Sequence, residues 1–182
     1  MKLIVLLTAL STLLSHLETK TLQSDVLLTM QEKGQTAVTF PGKVTMQGEK
    51  FIGSARGYEV AYDGSTLYMY DPDANELVLS RPIKEELIMS NPLLFAQSVA
   101  QVSTPRETVS KDGTVTTVTL VPQGTPQEQM KVVLKIKEEM PIFVEVHEPQ
   151  HTVTLRLKNP HYISTAPAFK VEKEGAYIND LR

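Results

Sequence analysis

The sequence contains no cysteine and no tryptophan, and its net charge at pH 7 is slightly negative, at -3. The absence of cysteine excludes disulfide bonds and cysteine nucleophiles. The negative charge argues against a nucleic-acid-binding protein, because recognition of phosphates normally requires a basic surface. Hydrophobic residues make up 41% and charged residues 21% of the 182 residues, an ordinary globular balance. We therefore expect a domain with a hydrophobic core large enough for the chain to fold without disulfide bonds.

The longest apolar run lies near the N-terminus, from Leu3 to Leu14, and it is too short to span a bilayer. Lys2 followed by this run predicts a secretory signal peptide. The leucines of the same segment are spaced as one face of a helix, which predicts an N-terminal helix instead. Both interpretations stay open for residues 1–16. Residues 17–182 are expected to form a single domain.

After Thr21 the apolar pattern changes to an alternation with period two, which is typical of half-buried strands. A series of glycines from Gly34 to Gly64 then separates short β-like runs, at a spacing typical of turn-linked antiparallel strands. Asp63-Gly64 is a hairpin signal of this kind. The pattern predicts a sheet that is mainly antiparallel.

One stretch in the middle of the chain is predicted to be helical. Residues 82–90 read PIKEELIMS, with a proline and two glutamates suited to a first helical turn. Asn91-Pro92 predicts a new cap and a second short helix over LLFAQSV. The helices are strongly apolar, so they are either packed on the sheet as ordinary core or act as a lid over a cavity.

Three apolar runs in the last third fit one antiparallel meander that keeps their apolar residues on a single face. The predicted facing pairs are Val132–Val146, Leu134–Val144 and Ile136–Ile142 in the first hairpin, and Ile142–Leu157, Val144–Leu155 and Val146–Val153 in the second.

Residues 147–151 read HEPQH and match the H-E-x-x-H pattern of zinc metalloproteases. That motif requires a helix, because its two histidines must lie one helical turn apart. Pro149 disrupts a helix, and both flanks alternate as strands. We therefore predict a hairpin turn with two solvated histidines, with a weak surface metal site at His147 and His151 as the minor alternative. No nucleophile or phosphate-binding motif is found, so the sequence predicts neither an enzyme, a metal site nor a cofactor.

The central segment from Tyr62 to Pro72, followed by Asn75-Glu76-Leu77, resembles the outer-membrane lipoprotein carrier family, the LolA-like proteins. Residues Pro82 to Leu87 with Asn91-Pro92-Leu93 resemble the lid helix of that family. The tail from Phe169 to Arg182 is similar to its closing strand. The chain departs from the family in having Tyr68 where a tryptophan is common. It also has Gly48-Glu49-Lys50-Phe51 where an Arg-Pro pair is frequent.

The resemblance implies an α+β fold, with an open, strongly curved half-barrel sheet and short helices on its concave face. It implies a monomeric periplasmic carrier that binds the acyl chains of lipoproteins in a hydrophobic cavity and shuttles them from the inner to the outer membrane. The implied partners are an inner-membrane lipoprotein-releasing ABC transporter and an outer-membrane acceptor. The alternative is a periplasmic lipid- or lipoprotein-sensing protein of the same fold with a regulatory role.

The candidate lipid-binding residues are the apolar residues expected on the inner strand faces and on the lid. They are Leu28, Met30, Val44, Met46, Leu67, Met69, Leu87, Ile88, Leu94, Phe95, Val132, Leu134, Val144 and Leu155.

Overall fold

The computed structural model describes the backbone of residues 2–182 and the side chains from residue 9 onward. The helices are α1 (Lys2–Thr19), α2 (Lys84–Ser90) and α3 (Pro92–Ala100). The strands are β1 (Thr21–Glu32), β2 (Val38–Gln47), β3 (Lys50–Ala55), β4 (Tyr58–Tyr62), β5 (Leu67–Asp71), β6 (Glu76–Ser80), β7 (Arg106–Val109), β8 (Val115–Leu120), β9 (Lys131–Lys137), β10 (Met140–His147), β11 (His151–Ile163) and β12 (Tyr177–Asp180). Among the residues described, no helix combines the length and hydrophobicity needed to cross a bilayer.

All the strands belong to one sheet in the order β12-β6-β5-β4-β3-β2-β1-β11-β10-β9-β8-β7. Every pairing is antiparallel except that of β12 with β6. The sheet does not close, so β12 and β7 remain as its two edges. The predicted fold class, α+β with an open and mainly antiparallel sheet, is confirmed.

The helices cover one face of the sheet and complete the main apolar core. Leu13 and Leu17 of α1 are fully buried, as are Met46 of β2, Ile88 of α2 and Val144 of β10. These residues belong to one continuous cluster that also takes in most of α3. In β9 the burial alternates strictly, with Val132, Leu134 and Ile136 buried towards the helices, and with Val133 and the three lysines on the other face. Period two is what a sheet with one covered face requires.

The opposite face of the sheet carries a smaller cluster near β4 and β6. Ala61 and Leu77 are buried there beneath Val171, which lies in the segment between β11 and β12. The chain then returns along the sheet and adds β12 beside β6. Tyr177 N–H donates to Asn75 O at 2.9 Å, and Leu181 N–H donates to Leu79 O at 2.8 Å.

The register of the last meander agrees with the predicted one except at Ile142, whose predicted pairs with Ile136 and with Leu157 do not form. In β10 and β11, Val144 faces Leu155 and Val146 faces Val153. Toward β9, Val132 faces Val146 and Leu134 faces Val144. These pairs were predicted and are confirmed.

The predicted pair Ile136–Ile142 is wrong, because Ile136 faces Pro141. The hairpin loop consists of Glu138 and Glu139, both with positive φ, as a two-residue type I′ turn demands. That tight turn brings Met140 opposite Lys137, and a bulge between Pro141 and Phe143 restores the register of the rest.

The two middle helices begin and end close to where the sequence predicts. The Asn91 side chain accepts hydrogen bonds from the backbone N–H groups of Leu93 (3.1 Å) and Leu94 (3.4 Å), which caps α3. Pro92 occupies the first turn of α3, where its missing N–H costs nothing. The two helices are thus separate elements joined at a single residue.

Candidate functional site

All the candidate lipid-binding residues belong to the main apolar cluster between the sheet and the helices. Leu28, Met30, Met69 and Leu87 are partly buried at its border. The others lie inside it, and they are Val44, Met46, Leu67, Ile88, Leu94, Phe95, Val132, Leu134, Val144 and Leu155. The structure therefore brings these residues together. Whether any of them contacts a lipid stays a prediction.

The interior residues of this cluster can meet a ligand only if a helix moves. Met46, Leu67, Ile88, Val132 and Val144 have no exposed surface. The helices α1 and α3 occupy the space that a half-barrel would otherwise offer to an acyl chain. The candidate site is therefore the border of the cluster, where a ligand could enter, together with the helix that covers it.

The helix α2 is the least anchored of the covering elements. It has seven residues, of which Ile88 alone is buried. Its N-terminus is closed by a hydrogen bond from Ile83 N–H to the Glu86 carboxylate at 3.0 Å. Ile83 and Met89 are 61% and 46% exposed, which is high for large apolar side chains. Because α2 buries one side chain and α3 buries six, displacement of α2 would cost less apolar burial than displacement of α3.

A groove of about 420 Å³ opens beside the end of α2, between that helix and the strand ends of β1, β2 and β11. Its volume is in the range of small-ligand sites. Its apolar lining residues are Met30, Val38, Phe40, Met89 and Val153. Its polar lining residues are Gln31, Glu32, Lys33, Gln35, Thr36, Gln150, His151 and Thr152. Since Met30 and Val153 also pack in the main cluster, the groove borders the core.

Charged groups meet at one side of this groove, in the turn between β10 and β11. Glu148 Oε2 lies 2.7 Å from His151 Nε2, and Glu148 Oε1 lies 2.9 Å from Lys84 Nζ at the start of α2. The Glu148 side chain is only 13% exposed. A carboxylate so far removed from water needs such partners, because burial of an unpaired charge is costly.

The residues of the H-E-x-x-H motif form this turn, so the predicted hairpin is confirmed. The prediction that both histidines are simply solvated is wrong. His147 Nδ1 lies 3.2 Å from Thr152 Oγ1, and His151 lies against Glu148. Within the described part of the chain, no group of three or more His, Cys, Asp or Glu residues could hold a metal ion. Sequence reasoning missed the Lys84 contact, since nothing local links residues so far apart in the chain.

A second, more polar pocket of about 810 Å³ lies at the other end of α2. Arg81, Asp180, Arg182 and Leu87 are among its lining residues. Arg182 Nε donates to Asp180 Oδ1 at 2.8 Å, and this hydrogen bonding lowers the pKa of Asp180 to about 2. Arg182 is thus already engaged by a carboxylate, and the polar lining is a poor match for an acyl chain.

The sequence matches no protein-family model and no curated protein. Its fold is similar to that of solved structures. An uncharacterized conserved protein from Thermus thermophilus is 12% identical, with a TM-score of 0.61 over 96% of this chain and 98% of that chain. MucB is 10% identical, with a TM-score of 0.58 over 96% of this chain and 66% of that chain.

A LolA superfamily protein from Nitrosomonas europaea is also similar, at 11% identity and a TM-score of 0.48, over 88% of this chain and 94% of that chain. At these identities the similarity is one of fold. The chain shares the overall fold of the Thermus thermophilus protein and of MucB.

Proposed function

We propose that the protein is a carrier that binds the acyl chains of lipoproteins beneath α2 and moves them through the periplasm between the inner and outer membranes. The observation that supports this most directly is the groove beside Met89. It opens beside the end of α2, a helix with a single buried side chain, and its lining residues Met30 and Val153 also pack in the apolar cluster. The proposal includes no catalytic step, no metal and no cofactor.

The energetics of an acyl chain explain why such a carrier would need a movable lid. Burying each CH₂ group contributes about 0.8 kcal/mol, so a long chain gains roughly 12 kcal/mol in a membrane. A carrier must offer a comparable apolar surface, which here is the interior of the cluster. Displacement of α2 would expose Leu87 and Ile88 and the strand residues beneath them to the incoming chain.

The test is saturable binding of a fluorescent long-chain acyl probe to delipidated protein, with competition by a synthetic lipopeptide. We expect Leu94→Glu to abolish binding by placing a charge in the apolar cluster. Because that change can also unfold the protein, Met89→Glu at the groove surface provides a second variant. We expect it to weaken binding at least tenfold while far-UV circular dichroism stays unchanged.

Val109→Glu is the matched control, since Val109 in β7 is 48% exposed and Met89 is 46% exposed. It adds the same charge at a site remote from the groove and should leave binding unchanged. The proposal fails if the wild-type protein binds no probe. It also fails if Met89→Glu and Val109→Glu bind the probe as the wild type does.

A further inference from the structure

The contact between Lys84 and Glu148 joins the covering helix to the sheet across a long stretch of sequence. Lys84 is the first residue of α2, and Glu148 lies in the turn between β10 and β11. Their charged atoms are 2.9 Å apart. His151, which follows the same turn and lines the groove, lies 2.7 Å from the other oxygen of Glu148. The carboxylate therefore lies between a fixed partner on the sheet and a partner on the helix.

The surroundings of Glu148 hold it more firmly than those of Lys84 hold the lysine. Its side chain is 13% exposed, whereas that of Lys84 is 45% exposed. The Lys84 ammonium also lies 5.4 Å from the centre of the Phe95 ring on α3. Just past the end of β1, the backbone N–H of Lys33 donates to Gln150 O, which holds the turn against that strand. The turn is thus fixed, and the half-exposed Lys84 is the member of the pair that can leave.

We propose that the Lys84–Glu148 ion pair is a latch that holds α2 closed over the apolar cluster, beside the groove. This inference rests on the proposed function, because α2 acts as a lid only if a ligand passes beneath it. A half-exposed pair is worth at most a few-fold in an opening equilibrium, which suits a contact that must open readily. His151 Nε2, 2.7 Å from Glu148 Oε2, stays beside the carboxylate when Lys84 departs.

The test measures the opening of α2 without any ligand. The protein lacks cysteine, so a single thiol can be introduced at will. Ile88→Cys places that thiol beneath α2 at a position with no exposed surface. Val118→Cys in β8, also fully buried, reports opening of the core away from α2. The rate at which each thiol reacts with a thiol reagent is measured in the protein with Lys84 and Glu148 intact and in variants that lack one or both of them.

We expect Lys84→Gln and Glu148→Gln each to raise the labelling rate of Ile88→Cys by about threefold to fivefold. The double change should give no further increase, since the two side chains act as one pair. Lys84→Arg should keep the slow rate, and the Val118→Cys rate should not respond. Lys173→Gln, which breaks the pair between Lys173 and Glu59 away from α2, is the matched control.

Hydrogen exchange of the α2 amides in Lys84→Gln gives the same information without a cysteine in the core, and should show faster exchange confined to α2. Equal rates in the wild type and in both latch variants overturn the latch. If the latch variants open faster but no acyl probe binds to the wild type, the latch stands and the carrier function is wrong.

Discussion

Asp63 shows how a single carboxylate organises a turn in this protein. It accepts hydrogen bonds from Ser65 N at 2.9 Å, Thr66 N at 2.8 Å and Tyr68 Oη at 3.0 Å. Partial burial opposes ionisation, but these hydrogen bonds outweigh it and lower the pKa of Asp63 to about 2. The loop between β4 and β5 is therefore held by a charged acceptor and not by a two-residue turn alone.

The lowered pKa makes the loop a source of acid-sensitive stability. An unfolded aspartate titrates near 3.9, so the contribution of Asp63 is complete above about pH 4 and is lost as the pH falls through 2. Because the side chain is partly exposed, we expect about 1 kcal/mol at most.

Asp63→Asn should therefore lower the free energy of unfolding at pH 7 by up to about 1 kcal/mol, with little effect at pH 2. Urea unfolding at both pH values measures it. Glu128→Gln, at an exposed position, is the control and should leave the free energy of unfolding unchanged at both pH values. An equal loss at pH 2 and pH 7 would contradict the role of the charge.

The residues of the H-E-x-x-H motif show what single positions can and cannot predict. Pro149 was sufficient to predict a turn, because its ring is incompatible with the helix that a zinc site needs. The environment of Glu148 was not predictable, since it depends on Lys84, which is distant in sequence and close only in the fold. Local chemistry is readable from the sequence, whereas contacts between distant residues require the structure.

At the scale of elements, the middle helices were predicted from caps and the strand pairs from apolar alternation. Both signals are local and repeat over several residues, so they survive in the fold. The bulge at Ile142 was not predictable in this way. The loop of Glu138 and Glu139 adopts positive φ without glycine, and no sequence signal marked it as a two-residue turn.

The helix α1 contributes to the core through one face. Leu13→Ala should lower the free energy of unfolding by about 2–5 kcal/mol, because the side chain has no exposed surface and leaves a cavity. Glu18→Ala, on the exposed side of the same helix, should change it by less than about 0.5 kcal/mol.

Urea unfolding of the full chain followed by circular dichroism measures both variants. A negligible effect of Leu13→Ala would mean that α1 does not pack in solution as it does in the structure. The mass of the protein recovered from cells separates the two interpretations of residues 1–16, since removal of a signal peptide would also remove Leu10 and Leu13 from the core.

At the scale of the whole molecule, one sheet runs through the entire chain and one apolar cluster spans both of its halves. The resemblance predicted this open sheet, but not the parallel addition of β12 beside β6. That pairing unites segments about a hundred residues apart in the chain, and alternation within a strand carries no information about its neighbour. The sequence also predicted a cavity lined by apolar residues, whereas in the structure the helices pack against those residues.

A continuous sheet and a shared cluster should unfold as one unit. We expect a single transition in urea, with the same midpoint by far-UV circular dichroism, which reports the whole chain, and by tyrosine fluorescence. Tyr58, Tyr62, Tyr68 and Tyr70 lie in β4 and β5, so fluorescence reports mainly that half. Two separated midpoints would contradict the single domain proposed for residues 17–182.

The packing of α1 has a consequence for the order in which the chain folds during synthesis. The helix packs against β2 and also against β7, β8 and β9, which follow it by about a hundred residues. At about 5–20 residues per second, a ribosome needs on the order of ten seconds to supply those strands. Throughout that interval the leucine face of α1 lacks its native contacts with β7, β8 and β9. The helix α1 is thus made well before three of the strands that it packs against, and the nascent chain meanwhile exposes an apolar segment that a chaperone can bind.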